Sequence, residues 1–92
     1  YVAADGPLAL QAAGLYGDGR ICSHNQSKSL LKNSLETIKL GAKKARRVLP
    51  ETFNTAVLTY ACVLKPGESI TSERVIDEIG SMAIASLHYW WE

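Results

Sequence analysis

Hydrophobic positions between residues 28 and 49 recur every three or four residues, which is the spacing of one face of an α-helix. The members of this stripe are Leu31, Leu35, Ile38, Ala42, Ala45 and Leu49. Ser27 or Ser29 is suited to cap the start of the helix, and Pro50 disfavours a helical conformation at the residue before it. The sequence therefore predicts an amphipathic helix over about residues 28–48.

A second stripe of hydrophobic positions predicts a helix over about residues 72–90. Its members are Ile76, Ile79, Ala83, Leu87 and Trp90. Thr71 or Ser72 can cap its start, and Glu73 favours the positive end of the helix dipole. Gly80 lies inside this helix, where glycine costs about 1 kcal/mol relative to alanine, and it therefore indicates a close helix crossing.

The segment between these two helices has two interpretations. Pro50 suits the first position of a helix, and hydrophobic residues then repeat at helical spacing as far as Pro66. These residues are Phe53, Val57, Tyr60 and Leu64. The same segment is rich in β-branched and aromatic residues, which favour a buried strand. The helical interpretation is preferred here, and it predicts a helix over about residues 51–64.

The segment 1–27 is rich in residues that form turns. Pro7 suits a first helical position and predicts a short helix over about residues 8–16. The Asp-Gly dipeptide at 18–19 favours instead a hairpin turn, or a turn that leads into a short strand near residues 16–23. Both interpretations of this segment stay open.

These elements together predict an all-α fold, a small bundle of three to four helices. The chain has 92 residues, 47% of them hydrophobic and 21% charged, as is typical of globular proteins. No stretch rich in Pro, Gly or Ser divides it, so we expect one domain over residues 1–92 with a turn-rich N-terminal segment. Because a domain of this size has a thin core, a homodimer would help to cover it.

No apolar run approaches the roughly 20 residues that cross a bilayer, so we expect a soluble protein without a transmembrane segment. The residues that could build a metal or nucleophilic site are Cys22, His24, Cys62 and His88. Their spacing matches no zinc motif, and the glycines match no phosphate-loop motif. We therefore predict no metal and no cofactor, and we favour binding over catalysis. Two unbridged thiols would suit a cytoplasmic location.

The charge of the chain is distributed unevenly, although the net charge is only +1. Residues 28–47 contain seven of the ten basic residues and one acid, whereas the rest of the chain contains three basic residues and eight acids. The seven basic residues of this segment are Lys28, Lys32, Lys39, Lys43, Lys44, Arg46 and Arg47. The predicted helix over this segment is therefore strongly cationic, and all seven are candidate residues for binding nucleic acid or an acidic partner.

Five of the seven fall within about 60° of one another at helical spacing. We call them the basic ridge, which consists of Lys28, Lys32, Lys39, Lys43 and Arg46. Such a ridge attracts phosphate backbones, anionic lipid or an acidic protein. Two structural interpretations compete: a solvated helix face, or ion pairs with the acidic side of the last helix, within the fold or across a dimer. The acids on that side are Glu73, Asp77 and Glu78.

Three aromatic residues follow one another at the end of the last helix, and a helix can bury only part of such a run. They are Tyr89, Trp90 and Trp91. Either Trp90 enters the core, or the cluster anchors a protein partner. The sequence thus supports two hypotheses: a non-enzymatic regulator that binds nucleic acid through the basic ridge, and a protein-binding or inhibitor protein that acts through its helical surface and this aromatic cluster.

Overall fold

The computed structural model describes residues 1–23 and 26–91, without the side chains of residues 89–91. In the described residues the chain alternates between short strands and helices. In chain order the elements are β1 (Val2–Ala3), α1 (Pro7–Tyr16), β2 (Gly19–Cys22), α2 (Lys28–Lys44), β3 (Asn54–Val57) and α3 (Glu73–Trp91). The chain divides into two compact units, Tyr1–Leu58 and Thr59–Glu92.

The fold is therefore mixed α/β, and the predicted all-α bundle is wrong. The helices predicted near 28–48 and 72–90 are confirmed, the first ending four residues early. The predicted helix over 51–64 is wrong, because β3 occupies Asn54–Val57 and residues 58–65 have no regular secondary structure. The alternative interpretation, in which the β-branched residues of this segment favour a strand, is correct. β3 provides the hydrogen-bonding partner that one edge of β2 needs.

The helix and the short strand predicted in the N-terminal segment are both present, one after the other, but the hairpin is wrong. Pro7 begins α1 as its first helical residue, and β2 follows the bend at Asp18. Both neighbours of β2 run parallel to it, so no hairpin is formed there. What the sequence did not indicate is that β2 would become the central strand of a sheet.

The first unit contains a three-stranded parallel sheet in the order β1-β2-β3. Arg20 on β2 lies opposite Val2 on one side and Thr55 on the other. Parallel neighbours cannot be joined by a tight turn, so each connection needs a crossover, and α1 and α2 supply the two crossovers. The core contains Ala4, Leu10, Ala13 and Ile38.

The backbones of α1 and α2 touch at two glycines. A Cβ atom on Gly14 of α1 would overlap with the carbonyl oxygen of Ile38, and one on Gly41 of α2 would overlap with that of Gln11. Both glycines are buried. Glycine is required here for close approach of the two helices, because any side chain would separate them.

A buried cation joins the end of β1 to the loop that precedes α2. The side chain of Arg20 is fully buried. Its Nε donates to the carbonyl oxygen of Ala4 at 2.6 Å, and its Nη1 and Nη2 donate to Gln26 Oε1 at 3.2 Å and Asp5 Oδ1 at 3.4 Å. A buried charge is tolerated only when it is paired and hydrogen-bonded. This network therefore fixes the loop from which α2 starts.

In the second unit, α3 follows a turn at Pro66 and Gly67. Val75 is buried, whereas Ile76, Ile84 and Leu87 on the same helix are more than half exposed. None of the helices described in residues 1–23 and 26–91 combines the length and the apolar character that a membrane span requires.

Replacing Gly41 with Ala should lower the free energy of unfolding by about 2 kcal/mol or more, because the added methyl forces α1 and α2 apart. Gly80→Ala in α3 is the matched control, since its Cβ would meet only the side chain of Ile76 at 3.4 Å. That control should gain about 0.5–1 kcal/mol from helix propensity. Urea unfolding measures both variants, and effects of the same sign would contradict the close crossing.

Candidate nucleic-acid interface

The start of α2 is fixed by a side-chain cap. The hydroxyl oxygen of Ser27 accepts a hydrogen bond from the backbone N–H of Leu30 at 3.3 Å. This is the capping role predicted for Ser27 or Ser29, and it satisfies one of the N–H groups that a helix leaves unpaired at its beginning. The helix begins at Lys28, so the first residue of the basic ridge lies in its first turn.

The end of α2 is a Schellman motif with an unusual residue. Arg46 has φ 53°, in the left-handed region that glycine normally occupies after a helix. Its N–H donates to the carbonyl of Lys43 at 3.1 Å, and the N–H of Arg47 donates to the carbonyl of Ala42 at 3.0 Å. The helix therefore ends before it reaches Pro50, so the proline does not determine where the helix ends. An arginine stands where the backbone geometry favours glycine by about 1 kcal/mol.

Two of the seven basic residues, Lys44 and Arg47, contact α1 or the residue that follows it. The Nζ of Lys44 donates to Gln11 Oε1 at 2.7 Å. The guanidinium of Arg47 donates to the carbonyls of Gly17 at 3.0 Å and Gly14 at 3.4 Å, and it lies 3.7 Å from a carboxylate oxygen of Asp18. Carbonyls at the end of a helix attract cations. Lys44 and Arg47 therefore stabilise the packing of α1 on α2.

The five residues of the basic ridge are all exposed. Lys39 Nζ lies 3.5 Å from Glu36 Oε1, with both side chains more than 60% exposed, and such pairs contribute little to stability. Among the described residues of the first unit, the side chains of the other four make no hydrogen bond or ion pair. At about 1.5 Å per residue, the helical part of the ridge from Lys28 to Lys43 is about 22 Å long.

A groove lies at the C-terminal end of this ridge, with a volume of about 480 Å³. Its lining is formed by Lys39, Ala42, Lys43, Arg46, Arg47, Val48 and Leu49. Four of these residues are cations and none is an acid. Ala42 is buried and Leu49 is half-buried, whereas Val48 is 92% exposed. The groove therefore combines positive charge with an apolar surface that is open to solvent.

The aromatic cluster of Tyr89, Trp90 and Trp91 lies outside the side chains that the structure describes. His24 is likewise outside the described residues. Cys22 and Cys62 are thiols, as predicted, the first buried and the second half-buried. Among the described part of the chain, no three His, Cys, Asp or Glu residues lie together as metal ligands would.

The thiol of Cys62 is poorly suited to act as a nucleophile. It donates a hydrogen bond to Glu78 Oε2 at 3.3 Å. This bond, together with partial burial and the negative charge of Glu78, raises the pKa of Cys62 above its ordinary value. A reactive cysteine needs the opposite shift, because the thiolate is the attacking form.

Arg74 organises the residues around that thiol. Its Nε and Nη2 donate to the two carboxylate oxygens of Glu68, the first at 2.8 Å. Its Nη1 donates to Glu78 Oε1 at 3.0 Å, and Nη2 donates in addition to the carbonyl of Val63 at 3.0 Å. The hydrogen bonds from Arg74 and from the backbone N–H of Lys65 lower the pKa of Glu68 to about 2. The cluster anchors the segment before α3 to the helix.

A polar cluster at the carboxyl ends of β1 and β2 was not predicted from the sequence. Asp5 follows β1 and Ser23 follows β2, and a carboxylate oxygen of Asp5 accepts hydrogen bonds from Ser23. Ligands of α/β folds bind at this edge. The signal was a polar residue within two residues of the end of each strand, which can be recognised only once the strands are known. Here the buried Arg20 donates to protein acceptors, so we assign the cluster a structural role.

No family model, no curated protein and no solved structure matches this chain. The candidate interface is therefore inferred from the geometry and charge of the described residues alone.

Replacing Arg46 with Gly should raise the free energy of unfolding by about 1 kcal/mol, because glycine adopts a positive φ without steric cost. Arg46→Ala is the control, since it removes the same guanidinium but keeps a Cβ in the left-handed region. Thermal and urea unfolding should place the glycine variant above both the parent and the alanine variant. Equal stability of the two variants would show that the backbone there is not strained.

Acid should release Glu68 from Arg74 only at very low pH. Because the pKa of Glu68 in the folded chain, about 2, lies below its ordinary value of 4.5, the pair contributes stability that is complete above about pH 4.5 and is lost as the pH falls towards 2. An NMR titration of the Glu68 side-chain carboxyl carbon measures this midpoint. Arg74→Gln should return it towards 4.5, and a midpoint already near 4.5 in the parent would refute the pairing.

Proposed function

We propose that this protein is a small, non-enzymatic regulator that binds nucleic acid through the basic ridge of α2. The observation that supports the proposal is the exposure of the ridge and the few partners that it has within its own unit. Lys28, Lys32, Lys43 and Arg46 are exposed, and their side chains pair with no described residue of the first unit. Cations without protein partners can neutralise phosphates and release their counterions, which is the main source of non-specific affinity.

The way α2 is held supports the same proposal. Gly41, Lys44 and Arg47 face α1, so the side of the helix with the ridge is left open to solvent. A ligand could therefore approach the ridge without disturbing the packing of the helices. A row of cations about 22 Å long suits an extended polyanion better than a small one.

A solvated helix face and pairing with the acids of α3 were the two structural alternatives. Glu78, one of those acids, accepts a hydrogen bond from Arg74 within its own unit. Among the described residues of the first unit, the ridge takes part in the exposed pair of Lys39 with Glu36. The ridge is therefore accessible to an external ligand, and the binding experiment below distinguishes a ligand surface from a solvated helix face.

Phosphate contacts position a protein on nucleic acid, whereas contacts to base edges determine sequence preference. Four of the five ridge side chains are lysines, which act as point charges. Weak sequence preference is therefore part of the proposal. A cytoplasmic location is part of it as well, and the two reduced thiols support that location.

Replacing Lys32 and Lys43 together with Gln should reduce the slope of log affinity against log salt concentration by about 2, because two phosphate contacts are lost. Glutamine keeps helix propensity, so the fold should not change. Fluorescence anisotropy with a labelled oligonucleotide at several salt concentrations measures the slope.

Lys65→Gln is the matched control, because Lys65 is an exposed lysine outside the ridge. It should leave the slope unchanged. If the double variant binds as the parent does, or if the parent binds no oligonucleotide at low salt, the proposed function is wrong.

A second candidate function is protein binding or inhibition through the helical surface and the aromatic cluster at 89–91. The observation that favours it is the exposure of large apolar side chains on α3: Ile76 is 55% exposed, Ile84 71% and Leu87 66%. Exposed apolar faces mark protein interaction sites, including contacts between copies of one chain. Binding of this kind depends little on salt, and this distinguishes it from binding to phosphates.

A further inference from the structure

The groove at the end of α2 differs in chemistry from the rest of the basic ridge. Along the helix the ridge is a row of cations, whereas the groove gathers Lys43 and Arg46 together with the apolar residues Val48 and Leu49 around one concave surface. Val48 is 92% exposed, so its isopropyl group is available to a ligand. A ligand that fills the groove should therefore carry negative charge next to an apolar surface.

An unpaired nucleotide has this combination of groups. In a single strand the bases can turn outward, and their flat faces and the sugar pack on protein side chains while the flanking phosphates meet cations. In a duplex the bases are stacked inside, and the outer surface offers mainly phosphates. A duplex could lie along the ridge, but it could not place a base face against Val48 and Leu49.

We propose that the groove receives one unpaired nucleotide, so that the protein prefers single-stranded to double-stranded nucleic acid. In this arrangement Val48 and Leu49 contact the base or sugar, and Lys43 and Arg46 contact the phosphates on either side of it. Arg47 is held by the carbonyls of α1 and forms the wall of the groove. The inference rests on the proposed function, because it specifies which form of nucleic acid the ridge binds.

The test compares a labelled single strand of mixed sequence with a hairpin duplex that contains the same sequence, in DNA and RNA versions, at one salt concentration. The full chain should bind the single strand more tightly than the duplex, by about threefold or more. Val48→Ser should weaken single-strand binding by about threefold and change duplex binding much less, since one apolar contact is lost. Val63→Ser is the matched control, because Val63 is 86% exposed and does not line the groove.

The outcomes separate this inference from the proposed function. A preference for single strands that Val48→Ser reduces and Val63→Ser does not would support the inference. Equal binding of single strands and duplex, with a steep dependence on salt, would overturn the inference and leave the proposed function standing. Failure to bind either form at low salt would overturn both.

Discussion

The contact between the backbones of α1 and α2 determines how the first unit is built. Gly14 and Gly41 allow the two helices to approach until only main-chain atoms separate them. The crossing brings Lys44 and Arg47 onto α1, where the guanidinium of Arg47 satisfies carbonyls at its C-terminal end. These contacts fix the rotation of α2 about its own axis and therefore determine which of its side chains face solvent.

The candidate interface is a consequence of that rotation. With the glycine side of α2 against α1, Lys28, Lys32 and Lys43 lie on an open face, and their charges are opposed by few acids. The chain also tolerates two unfavourable features in this unit, a fully buried arginine and an arginine in the left-handed region. The first is offset by its hydrogen bonds. The second places a cation in the groove, and its left-handed backbone conformation costs about 1 kcal/mol.

The helices could be predicted because α2 and α3 are long enough for their hydrophobic spacing to show, and the cap at Ser27 and the basic ridge follow from the same pattern. The sheet could not be predicted in this way, because its strands are two to four residues long and a parallel sheet is formed by contacts distant in sequence. A glycine inside a helix likewise does not reveal what it packs against. Within its own unit, a Cβ atom on Gly80 would meet only Ile76 of the same helix.

If nucleic acid binds the outward face of α2 and the groove at its end, the binding should be visible residue by residue. Backbone amide chemical-shift mapping during titration with a short single-stranded oligonucleotide provides this measurement. We expect the largest shifts between Lys28 and Leu49, with a maximum near Arg46. Shifts concentrated in α3, around Ile84 and Leu87, or the absence of any shift at low salt, would contradict it.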